Sequence, residues 1–196
     1  MNIDVILDLF CPWSYIAWRQ LQNALTECGI EAEITPFFVS SGSFLQGFDI
    51  TPARKARILE KRLRPVLAEN GLFVDFDNLP ELSGDLSRPA HLARAAFEQK
   101  NRDVLNELFA AFFAFGQDIT DPTVLERIAV RNFLTKKDYT PSRTGLPAGM
   151  PEGLRAVPCL IFEGKAVLFG AQRVPCLKNM LYLSDRIQKE NAFSEK

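Results

Sequence analysis

The chain has 196 residues, about half of them apolar (47%), with a formal net charge of −1. That length suits one large domain, or one domain with a substantial insertion, and the apolar share is enough for a good core. The near-neutral charge argues against a nucleic-acid partner and against an anionic membrane surface, and no apolar run is long enough to span a bilayer.

Residues 3–10, Ile-Asp-Val-Ile-Leu-Asp-Leu-Phe, are apolar and β-branched, as in a buried strand. They run directly into Cys11-Pro12-Trp13-Ser14, and Ile16, Ala17, Leu21, Ala24, Leu25 and Cys28 then recur at helical spacing. Pro12 suits the first helical position, where its missing N–H is no loss. Cys11 is therefore predicted at a helix N-terminus, in a small and partly open turn. Free N–H groups and the helix dipole there favour an anion, which would lower a thiol pKa into the range of about 3.5–7.5. A lone Cys before a helix is more commonly a small buried residue.

Cys28-Gly29 reads as the helix stop, and residues 31–39 alternate as a second strand, with Pro36 indicating a sheet edge. Ser40 to Ser43 is a loop. Thr51-Pro52 opens a helix expected to run to about Asn70, with Gly71 as its stop. Its first half carries Arg54, Lys55, Arg57, Lys61, Arg62 and Arg64 against Glu60, which is either a solvated face or a guide for an acidic ligand. Ser87 and Asp121 are predicted N-caps of two further helices. Between them, Val104, Leu105, Leu108, Phe109, Phe112 and Phe113 form an apolar stripe that is core or a dimer face. Residues 136–155, rich in Pro, Gly and charge, read as a connecting loop. Val157 to Phe162 and Ala166 to Phe169 form a predicted hairpin about Glu163-Gly164-Lys165. A final helix is expected from Pro175 to Gln188, packing Leu177, Met180, Leu181 and Leu183 on the sheet.

The four cysteines, at 11, 28, 159 and 176, have no metal-ligand spacing. Cys11 and Cys28 bracket a helix about 25 Å long, too far for a disulfide. Cys159 is expected to point into the core, since strand side chains alternate. Cys176 falls in the first turn of the last helix. His91, the single histidine, is as a rule a satisfied residue rather than an acid or base. Met1 leads straight into a strand with no secretory signal, so a cytoplasmic location is expected.

Strand, Cys-Pro-Trp-Ser and long helix together resemble the thioredoxin-like DsbA-like family, in particular its FrnE-like branch. Kappa-class glutathione transferases and 2-hydroxychromene-2-carboxylate isomerases are related. Residues 115–121 with Leu125, the Val157-Pro158 step and the run 169–173 also match these families. The resemblance implies an α/β fold with a thioredoxin-like sheet (residues 1–48 and 156–196), an all-helical insertion (49–135) and the loop 136–155.

It also implies a cis Val157-Pro158 bond beside the active cysteine. Cys11 and Ser14 would be the catalytic pair. Trp13, Val157, Pro158, Gln172 and Arg173 would bind the substrate or glutathione. This chain departs from dithiol enzymes at Ser14, where a resolving Cys would stand, so a Cys-x-x-Cys disulfide cannot form. The leading expectation is a monothiol oxidoreductase with glutathione or another external thiol as resolving partner. The substrate would be a small-molecule or protein thiol or disulfide. A kappa-like glutathione-dependent transferase or isomerase and a non-catalytic binding module are the alternatives. No metal and no tightly bound cofactor are expected, glutathione entering as cosubstrate, and a homodimer is left open.

Overall fold

A computed structural model describes residues 1–39, 52–137 and 156–194. Among these residues the sheet has four strands, β1 (Asn2–Leu7), β2 (Glu33–Phe38), β3 (Cys159–Phe162) and β4 (Ala166–Phe169), in the order β2-β1-β3-β4. β1 pairs in parallel with β2 and antiparallel with β3, which pairs antiparallel with β4. The central position of β1 explains its nearly unbroken apolar run, because both of its faces are covered. Pro36 sits on the edge strand β2, where a missing N–H costs no ladder bond on the open side.

Among the described residues six helices accompany the sheet: α1 (Pro12–Cys28), α2 (Pro52–Glu69), α3 (Arg88–Glu98), α4 (Asp103–Phe113), α5 (Pro122–Arg131) and α6 (Val174–Ser194). Gly29 ends α1 in a left-handed conformation (φ 63°) that returns its N–H to the last helical carbonyls. Asp121 caps α5 as predicted, its carboxylate accepting the Thr123 N–H. Ser87 does not cap α3. Its backbone is helical, and its hydroxyl and N–H both donate to the Asp85 carboxylate, so the cap forms two residues earlier than the sequence pattern suggests. α6 runs one turn and more past the expected end.

Ile3, Val5 and Leu7 of β1, with Leu160 and Phe162, face the main core, built with α1, α4 and α6. The apolar stripe of α4 lies wholly in that core, leaving it unavailable as a dimer face. Leu177 and Leu181 pack as expected, but Leu183 is exposed and Ser184 is buried in its place. Spacings of four and three from Leu177 set the inward line of the helix, whatever residue falls on it. Ile6, Cys159 and Ile161 form a smaller cluster on the opposite sheet face, with Phe37, Val39 and Val157 against it.

Lys61, Arg62 and Arg64 are exposed, and Arg64 pairs with Glu60, as a solvated face would. The side chains of Arg54, Lys55 and Arg57, the loop from Ser40, the Thr51 cap and residues 138–155 lie outside the described residues. Among the described residues no helix is long and apolar enough to cross a membrane.

The segment matching the family pattern at 115–121 is a tie point. Ser83 donates its N–H and hydroxyl to one Asp118 oxygen (2.9 and 2.6 Å), and Thr120 donates the same pair to the other (2.8 and 2.6 Å). Gly84 donates its N–H to Thr120 Oγ1 at 2.8 Å, and a Cβ built on it would stand 2.5 Å from the Thr120 carbonyl oxygen. Gly84→Ala must push backbone from backbone. We expect a loss of about 2–3 kcal/mol and a Tm lower by roughly 5–10 °C. An unchanged thermal midpoint would contradict this packing.

Candidate active site

The sheet gathers the candidate residues at one end. Cys11 follows the C-terminal end of β1, and Gly170 to Arg173 follow the C-terminal end of β4, which runs the same way. Val157 and Pro158 precede the antiparallel β3. Continuing the β1–β3 ladder past Ile6–Cys159 puts Pro158 opposite Leu7 and Val157 opposite Asp8. The Val157-Pro158 peptide is cis. Gly170 donates its N–H to the Pro158 carbonyl at 2.7 Å, joining the loop after β4 to the one before β3.

Cys11 is the N-cap of α1, in extended conformation (φ −104°, ψ 116°), with Pro12 in the first helical position. Its carbonyl accepts the N–H groups of Ser14 (2.9 Å) and Tyr15 (3.3 Å). The Trp13 and Ser14 N–H groups and the Ser14 hydroxyl act on its thiol by lowering the pKa. The Ser14 oxygen accepts the Asp8 N–H at 3.1 Å, which ties that hydroxyl to the end of β1. Asp8 is a buried carboxylate that organises this turn. Its Oδ1 accepts the Phe10 N–H at 2.9 Å and its carbonyl accepts the Cys11 N–H at 3.1 Å.

The expected open, acidified cysteine is not what this turn builds. Cys11 is only 6% exposed and Ser14 is fully buried. Burial pushes the Cys11 thiol above the ordinary thiol range. The donors from Ser14 and Trp13 pull it down and the Asp8 carboxylate adds to the rise, with burial prevailing. Aromatic docking flanks the buried cysteine. Phe10 meets Phe112 edge-on at 5.3 Å, and Tyr15 stacks on Phe109 and Phe113 at 5.2 and 5.7 Å. Rings on both sides of Cys11 thus clamp its turn to α4, each pair contributing about 0.5–1.5 kcal/mol beyond area burial.

Trp13 is half-buried against the core. Gln172 is half-buried and spends its amide on the Phe169 carbonyl (2.7 Å), so it helps shape the loop after β4. Arg173 is exposed, and its carbonyl accepts the first N–H groups of α6. Cys159 is fully buried, its thiol pushed up to about 11 by desolvation. Cys176 is exposed, and Cys28 lies at the far end of α1. Asp8 is the site residue the sequence pattern did not single out. Its signal was a carboxylate closing an otherwise apolar strand.

A mixed sheet with a cysteine-capped helix after its first strand and a cis-proline entering its third defines a thioredoxin-like domain. The chain belongs to the DSBA-like thioredoxin domain family, whose model matches residues 2–142. It is 24% identical over 131 residues to the uncharacterized protein YwbO of Bacillus subtilis (strain 168). That match takes in 66% of this chain and 64% of YwbO, so the chain spans less than two thirds of this curated relative.

Among solved structures it resembles the probable DsbA oxidoreductase SCO1869 of Streptomyces coelicolor, with TM-score 0.73, 16% identity, and 94% and 89% of the two chains covered. It also resembles a 2-hydroxychromene-2-carboxylate isomerase, with TM-score 0.69, 14% identity and 98% of each chain covered. A third is the cytosolic disulfide reductase DsbM of Pseudomonas aeruginosa, with TM-score 0.63, 15% identity, and 95% and 100% covered. DsbM has also been solved with GSH. At these identities the structural likenesses carry the fold.

Proposed function

We propose that the protein is a monothiol exchange enzyme in which Cys11 reacts with a disulfide and an external thiol, such as glutathione, releases the product. The observation that carries this reading is Cys11 as the N-cap residue of α1, with a serine where a resolving thiol would stand. In the first step the Cys11 thiolate attacks one sulfur of the substrate disulfide. A Cys11 mixed disulfide forms and the other half leaves as a thiolate. In the second step the external thiolate attacks the substrate sulfur of that mixed disulfide and frees Cys11, its own sulfur ending in a disulfide with the substrate half.

Cys11 lacks the stabilised thiolate that makes a strong oxidant, so the reading is a reductant. The solved DsbM structures, a disulfide reductase alone and with GSH, accord with that direction. Val157 and Pro158 would pair with the backbone of the substrate or glutathione, and Trp13, Gln172 and Arg173 would flank it. The test is steady-state reduction of bis(2-hydroxyethyl) disulfide with glutathione as reductant. We expect a protein-dependent rate that rises with glutathione concentration, and a rate no greater than that of glutathione alone would sink the reading.

A second reading has a specific observation in its favour. A neutral Cys11 thiol at the mouth of α1 can donate to another sulfur, as a glutathione-dependent isomerase or transferase would require. There the glutathione thiolate would be the reactive group, and activity would survive Cys11→Ser.

A further inference from the structure

Between α1 and α4 runs a groove of about 350 Å³, lined by Tyr15, Arg19, Asp103, Asn106, Glu107 and Ala110. That volume is at the small end of the range for organic ligands. It opens on the face of α1 that carries Cys11, because Cys11, Tyr15 and Arg19 follow one another at four-residue spacing. Each step along that line is about 6 Å.

The groove holds polar groups that the fold leaves unused. Tyr15 is 8% exposed, its ring stacked on Phe109 and Phe113, yet its hydroxyl makes no hydrogen bond among the described residues. Nor is that hydroxyl among the sealed, unpartnered polar atoms, so it opens to the groove it lines. Arg19 makes no ion pair among the described residues and lies close enough to act on Tyr15 electrostatically. Across the groove the Asp103 carboxylate accepts one long bond, from the Asn106 amide at 3.4 Å. Glu107 is paired with Arg131 and accepts the Asn132 side-chain amide. Among the described residues one unpaired cation, one weakly engaged anion and one hydroxyl open to the groove therefore remain, with no net charge between them.

We propose that this groove binds the α-amino-acid head of a small sulfur compound, Arg19 and the Tyr15 hydroxyl taking the carboxylate and Asp103 the ammonium group. That the sulfur end of the same ligand reaches toward Cys11 rests on the exchange reading above. Occupancy of the groove does not.

The reporter is built in. The Trp18 indole N–H donates to Asn106 Oδ1 at 2.8 Å, so its NMR resonance senses a groove-lining side chain. The full chain is titrated with S-methylcysteine, which carries the zwitterion but has no thiol or disulfide to exchange. 3-(Methylthio)propionate and 2-(methylthio)ethylamine serve as the carboxylate-only and ammonium-only controls.

We expect a saturable Trp18 shift with S-methylcysteine. Affinity should fall about tenfold or more in Arg19→Gln and in Asp103→Asn, and several-fold in Tyr15→Phe, as for loss of charged or neutral hydrogen bonds. Cys11→Ser should bind unchanged, which separates failure of the groove from failure of the thiol chemistry. Absence of a shift, equal binding by either control, or affinity indifferent to Arg19 and Asp103 would overturn the proposal.

Discussion

Cys11→Ser is expected to bring glutathione-driven disulfide reduction down to the rate of glutathione alone. A serine hydroxyl cannot form the mixed disulfide through which the proposed cycle passes. Cys159 is fully buried on the opposite sheet face, Cys28 is the last residue of α1, and Cys176 is exposed in the first turn of α6. The substitution exchanges one small buried side chain for another, so the Trp18 resonance and the thermal midpoint should stay near those of the parent chain. Full activity in this variant would move the assignment to the isomerase-type reading.

The pH dependence of Cys11 alkylation is the second large effect. Burial favours the neutral thiol, so the reactive thiolate is the minor form at neutral pH. With Cys28, Cys159 and Cys176 replaced by Ser, the rate should rise about tenfold per pH unit through the neutral range. It should level off only above the ordinary thiol value of about 8.5. The sign for stability follows. A thiol whose folded pKa lies above its unfolded value holds its proton more tightly in the fold. Its contribution is fully present below the unfolded pKa and is lost as the pH rises through the folded one. Cys159, at about 11, acts in the same direction, so the native chain should lose stability on the alkaline side of about pH 8.5. A plateau of alkylation below pH 7 would show an acidified thiolate and contradict the burial argument.

Local chemistry made much of this architecture readable in the sequence. Pro12 after Cys11, Gly29 after Cys28, and Asp121-Pro122 each mark a helix end through their own backbone needs, and each helix ends there. The hairpin of β3 and β4 and the edge position of β2 were legible for the same reason. What stayed hidden depends on residues far apart in the chain. The pKa direction of Cys11 is set by burial in the folded chain, where its neighbours Phe10 and Tyr15 dock on α4 rings some hundred positions away. Leu183 and Ser184 changed places because the line of contact on α6 is fixed by the core it packs against, with α1 across from it. The groove beside Tyr15 and Arg19 exists only where α1 meets α4, and neither helix announces it alone.

The most direct test of single-cysteine exchange is to treat the reduced chain with oxidised glutathione and follow its mass. The account predicts one persistent glutathione adduct, mapping to Cys11 and removed by excess reduced glutathione. An internal disulfide, or an adduct that maps to Cys176 and survives Cys11→Ser, would contradict it.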